Sequence, residues 1–142
     1  MISMFEGKPM VDDMVLEKES TTKIHVMKLS DGTTQTFETG WLIALHHGNS
    51  YLEDENTLVM ELQTYNNKDS NPFSIVFFDK LFDVNKMTDQ AYDSKFQKFT
   101  LNLKDGTFKV EDYVEAKNGT IDMPMWNPKY DGVKNCFTYL SH

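Results

Sequence analysis

A chain of 142 residues with 39% hydrophobic and 13% aromatic content is long enough and apolar enough to bury a core, which excludes a disordered tail. Its net charge of −8 sets 22 Asp and Glu against 14 Lys and Arg, without a basic block to neutralise a phosphate backbone, so no nucleic-acid partner is expected. A single cysteine, Cys136, allows no internal disulfide, no apolar run approaches the ~20 residues of a spanning helix, and the first residues lack a secretory pattern, so the expected setting is reducing and cytoplasmic.

In chain order, Lys23–Leu29 and Thr33–Thr39 carry Ile24, Val26 and Phe37 at apolar positions, with Asp31-Gly32 between them where a turn needs positive φ; a β-hairpin is predicted. After Gly40, the near-continuous apolar run Trp41–His47 predicts a strand buried on both faces and ending in histidines. The turn Glu53–Asn56 leads into Thr57–Tyr65, whose Leu58, Met60 and Leu62 alternate with Glu61 and Gln63, the pattern of a half-buried strand that pairs with the one before it. Asn66–Asn71 reads as a polar loop closed by Pro72. Phe73–Asp93 has no clean period, although Phe77, Phe78 and Phe82 read as core.

Lys95–Leu103 and Thr107–Val114 form a second predicted hairpin around Asp105-Gly106. Thr120–Pro124 reads as a short strand ended by proline, and a last hairpin turns at Tyr130-Asp131-Gly132 into Cys136–Leu140. Asn118-Gly119-Thr120 matches the glycosylation acceptor pattern, taken as a chance match in a turn. Short strands, turns and no convincing helix predict an all-β chain: a sandwich, a barrel or propeller blades.

The chemistry-bearing candidates are the histidines. His46 and His47 are successive on a strand and point to opposite faces, so at most one serves a given site. His25 alternates with Ile24 and Val26 and is expected in solvent, and His142 ends the chain. A glycine-rich phosphate loop, a second cysteine for zinc and a Gly-x-Ser-x-Gly elbow are all missing from the sequence. Residue chemistry alone supports a β-rich domain with one candidate histidine ligand.

The stretch His46-His47-Gly48-Asn49-Ser50-Tyr51, followed by Glu53-Asp54, resembles the carotenoid cleavage oxygenase family, whose animal members carry an HHxN-x-Tyr-Glu-Asp segment after an apolar strand. Upstream, Thr22–Val26 and the Asp31-Gly32 turn look like the hairpin before that motif. Downstream, Ile121–Asn127 is similar to a Glu-x-Pro-x-x-Asn segment, and Tyr130-Asp131-Gly132 with Phe137-Thr138-Tyr139 continues the likeness, which runs from about Val15 to Leu140. Residues 1–142 are accordingly read as one partial oxygenase domain.

The resemblance implies an all-β fragment, roughly two to three blades, of a seven-bladed β-propeller. It implies ferrous iron (Fe2+) held by four neutral histidines, one of them His46, with Asp122 as the carboxylate that orients its ring. Asn49 and Tyr51 are expected to have structural roles. Two departures stand out. Asp122 is one methylene shorter than the family's glutamate, so reaching His46 is expected to need a bridging water or a strand shift of about an ångström. Leu52 is inserted in a turn, where an extra residue is tolerated.

The reaction implied is oxidative cleavage, with dioxygen, of a conjugated double bond in a carotenoid or apocarotenoid; some members isomerise retinoid esters instead. Three further ligands, the remaining blades and any peripheral membrane contact are expected from segments beyond this chain. The alternatives are a non-catalytic β-barrel carrier of a hydrophobic ligand, which predicts a closed sheet with His46 in its core, and an inactive truncated product.

Overall fold

The structure, a computed structural model, describes residue 17 and residues 19–65, 94–115 and 121–142. The loop Asn66–Asn71, the segment Phe73–Asp93 with Phe77, Phe78 and Phe82, and Asn118-Gly119-Thr120 lie outside the described residues. The first predicted hairpin is present as β1 (Thr22–Met27) antiparallel to β2 (Thr34–Thr39). Its turn is longer than the tight one expected: Lys28 N–H donates to the Thr33 carbonyl and Gly32 N–H to the Lys28 carbonyl, both at 2.8 Å, with Gly32 at φ +74°. A side chain at that φ would cost about 1 kcal/mol, which glycine avoids. Asp31 Oδ1 closes the turn by accepting from the Thr33 N–H and hydroxyl.

Four strands follow as an antiparallel meander in the order β3 (Ile43–Asp54), β4 (Thr57–Tyr65), β5 (Ser94–Asn102), β6 (Thr107–Glu115). A two-stranded ribbon, β7 (Asp122–Met125) with β8 (Tyr139–Ser141), completes the chain, with a single 3₁₀ turn at Pro128–Tyr130 between its strands. The protein is all-β, and its meander has the form of one propeller blade. β3 and β6 are the two edges of that sheet and do not pair with each other, so the closed barrel of the carrier reading is not formed among the described residues.

β3 differs from the expected Trp41–His47 strand in length and burial. It continues through the histidines to Asp54, and Ile43–His46 are only half-buried because β3 is an edge strand. Three register shifts interrupt it: Ala44 faces Thr64 while His46 faces Gln63, His47 faces Leu62 while Ser50 faces Met60, and Leu52 faces Leu58 while Asp54 faces Thr57. Each inserts one extra residue, and each bulge reverses which face the following side chains occupy.

β4 departs from expectation in the opposite sense. Glu61 and Gln63, placed by their alternation on an open face, are 6% and 0% exposed. The ribbon explains this: Ile121 and Leu140 pack on Phe96 on that side, and Ser94 Oγ accepts from the Ile121 N–H and donates to its carbonyl. Val59, Phe99 and Leu101 complete a core in which the centre of the sheet is covered on both faces.

Candidate functional site

The second β3 bulge exists because residue 48 has no side chain. A Cβ on Gly48 would stand 2.9 Å from Glu61 Cβ and 3.0 Å from Phe96 Cζ, closer than carbons pack. The tight crossing delivers Asn49, fully buried, to the loop that follows the 3₁₀ turn. Asn49 Nδ2 donates to the carbonyls of Tyr130 (3.0 Å) and Val133 (2.7 Å) and to Asn135 Oδ1 (2.9 Å), while Asn49 Oδ1 accepts from the Gly132 N–H. This one side chain fastens β3 to a loop more than 80 residues away in sequence. Beside it, burial pushes the Glu61 carboxyl above the usual carboxylate range, partly offset by the Thr138 hydroxyl and the Asn49 N–H. Burial likewise raises the Tyr51 hydroxyl.

One step back along β3, His46 Nδ1 lies 2.5 Å from Asp122 Oδ1, a contact that joins residues 76 apart in sequence. An ionised carboxylate only accepts, so this contact calls for a proton on Nδ1, and in the neutral ring that leaves the lone pair on Nε2. That is the tautomer in which an imidazole binds a metal cation through Nε2 while its other nitrogen is held. The His46 side chain is 42% exposed and that of Asp122 27%, so the pair sits at an accessible rim.

The short aspartate reaches His46 directly, without the bridging water its length suggested. Met123 adopts φ +51°, rare for a residue with a side chain, and the β7–β8 register slips between Asp122 and Met125. Asp122 Oδ1 also accepts from the Met123 N–H at 2.6 Å, and the Asp122 backbone carbonyl accepts from Ser141 Oγ of β8.

Two residues that sequence reasoning treated as ordinary strand positions belong to the same face. Gln63 is directly opposite His46, and Tyr65 lies two positions further along β4. Burial pushes the Tyr65 hydroxyl above the ordinary phenol range, the neighbouring Gln63 amide offsets part of that, and the Asp122 charge adds to it. The other histidines stand apart. His25 is exposed and its Nδ1 meets Thr36 Oγ1 at 2.9 Å, His47 faces the opposite side of the sheet from His46, and His142 is exposed at the chain end. Among the described residues no three His, Cys, Asp or Glu converge as a metal cage, so this site offers one oriented imidazole. Its donor chemistry fits ferrous iron as a single ligand within a larger set.

Compared with known protein families, residues 2–142 match the family model described as retinal pigment epithelial membrane protein. No curated protein matches the chain.

Proposed function

The chain belongs to the carotenoid cleavage oxygenase and retinoid isomerase family, and on that ground we propose that His46 is one imidazole ligand of a ferrous iron centre acting on a carotenoid, apocarotenoid or retinoid. The observation that carries this reading is the 2.5 Å contact between His46 Nδ1 and Asp122 Oδ1. Asp122 holds the proton on Nδ1, keeps the ring from rotating and makes Nε2 a better donor. Asn49 locks the bulge next to it. When bound, iron supplies open coordination positions for dioxygen and the means to cleave a conjugated double bond, or a Lewis acid for isomerisation. One imidazole does not hold ferrous iron, so the reading assigns the other ligands to residues outside those described, and the isolated chain is expected to be inactive. A cytoplasmic setting agrees with the exposed free thiol of Cys136.

The test starts with the native polypeptide, sized by mass spectrometry of peptides from this chain and from flanking sequence. Iron is then measured in that polypeptide. We expect a several-fold larger protein containing iron, with His46→Ala abolishing the iron and Asp122→Asn weakening its binding by about 10–100-fold. A native protein ending at His142 without iron, or full iron retention in His46→Ala, would overturn the assignment.

A further inference from the structure

Met123 is the only residue other than glycine at positive φ among the described residues. Two local rules oppose it there. A side chain at φ +51° crowds the backbone, and the ring of Pro124 restricts the residue before it toward extended conformations. The Met123 side chain is 55% exposed, so its own packing does not impose the conformation. The strand register leaves room for nothing else: Asp122 pairs with Ser141 and Met125 with Tyr139, so Met123 and Pro124 together oppose Leu140 alone. Two residues against one is a β-bulge, and in its positive-φ form the first position ordinarily belongs to glycine. Here a methionine occupies it. A backbone so disfavoured persists only where its surroundings over-determine it, and such positions cluster at functional sites.

What the bulge delivers is an N–H group. Met123 N–H donates to Asp122 Oδ1 at 2.6 Å, and the same oxygen lies 2.5 Å from His46 Nδ1. The backbone on the near side of the bulge is fixed independently, because Ser94 Oγ pairs with both the N–H and the carbonyl of Ile121 and Ser141 Oγ donates to the Asp122 carbonyl. The carboxylate itself is partly exposed, so a single contact with His46 would leave it free to turn toward solvent. We propose that Met123 is a positioning residue of the His46 site: its left-handed backbone aims its N–H at Asp122 Oδ1, and this second donor holds the carboxylate against His46 Nδ1. The consequence for iron rests on the reading of His46 as a ligand given above.

The experiment reads two quantities in the native polypeptide that carries this chain. One is the His46 tautomer, from long-range proton–nitrogen correlation spectra of the iron-free protein; the other is affinity in a titration with ferrous iron. Met123→Gly keeps the N–H and adopts positive φ without crowding, so it is expected to keep the wild-type tautomer and affinity. Met123→Val, whose branched side chain disfavours that φ, is expected to turn His46 into a mixture of tautomers and to weaken iron binding about tenfold, with His25 unchanged. Replacing Met123 by its α-hydroxy acid counterpart removes the N–H donor and keeps the side chain; it is expected to act as Met123→Val does, and it serves where the valine variant folds poorly. A bulge with a purely structural role would lower the Tm of Met123→Val and leave the tautomer alone, so a His46 still protonated only on Nδ1 in the valine or hydroxy-acid variant overturns the proposal. Loss of that tautomer in Met123→Gly also overturns it, by assigning the effect to the thioether side chain. The two readings fail separately. Wild-type protein that holds no iron, while its His46 tautomer responds to Met123→Val and not to Met123→Gly, would sink the metal assignment and support this one.

Discussion

The β1–β2 hairpin and the β3 edge each present a histidine whose Nδ1 meets an oxygen, but the two regions are built by different means. In the hairpin the turn and its histidine are held by contacts that are local or across one turn: Asp31 on Thr33, His25 on Thr36. At the β3 edge, Asn49 and His46, and Glu61 beside them on β4, each reach partners more than 70 residues away. Local contacts make a hairpin; distant ones gather side chains from separate strands into a site. The difference also decides the chemistry, because the Thr36 hydroxyl can donate or accept while the Asp122 carboxylate only accepts.

The largest test of this contrast is Asn49→Ala. It removes the donors to Tyr130, Val133 and Asn135 and the acceptor for Gly132 inside a fully buried pocket, leaving backbone groups unpaired. We expect a loss of about 3 kcal/mol in urea denaturation, against less than about 0.5 kcal/mol for Thr36→Ala in the exposed hairpin. Equal losses would show that the distant anchor matters no more than a local pair.

A smaller effect separates the regions by pH. Asp31 in the hairpin has its carboxyl lowered by the Thr33 hydrogen bonds, so its contribution to stability is present above the ordinary aspartate range and is lost as pH falls through its folded value. Glu61 is raised by burial, so its contribution is complete below the ordinary glutamate range and is lost as pH rises through its folded value. Glu61→Gln keeps an acceptor for Thr138 and removes the charge. Its Tm should exceed wild type by roughly 2–4 °C at pH 7, the shift about 1 kcal/mol gives in a domain of this size, with the gap closing near pH 4. A gap that widens on acidification would mean the carboxylate is stabilised where it lies.

What was legible in the sequence follows the same division. The Asp-Gly turns announced the first two hairpins, because a glycine at positive φ is a local requirement; Gly32 and Gly106 are at φ +74° and +70°. β3 was read only as far as His47 because its bulges break the alternation on which strand reading depends. Glu61 and Gln63 looked solvent-facing since nothing in β4 itself reveals that the ribbon covers them. A structural role for Asn49 was legible only through the family motif, and its partners were not, since most are backbone groups, which every residue carries. His46 and Asp122 were paired only through family resemblance, since no local rule links residues so far apart. The positive φ at Met123, beside Asp122, was invisible too.

The smallest energetic effect is the most informative about the site. Asp122→Asn replaces a group that only accepts by one that can also donate, so the His46 ring is no longer obliged to keep its proton on Nδ1. Because the pair is partly exposed, the change should cost about 1 kcal/mol or less in stability. Long-range proton–nitrogen correlation spectra of the imidazole rings report the tautomer directly. In wild type we expect His46 with Nδ1 protonated and Nε2 bare, and His25, facing a hydroxyl, as a mixture of both forms. In Asp122→Asn, His46 should become a mixture like His25 while His25 itself stays unchanged. Should wild-type His46 instead carry its proton on Nε2, the lone pair would point at Asp122 rather than outward, and the ring would have nothing to offer a metal.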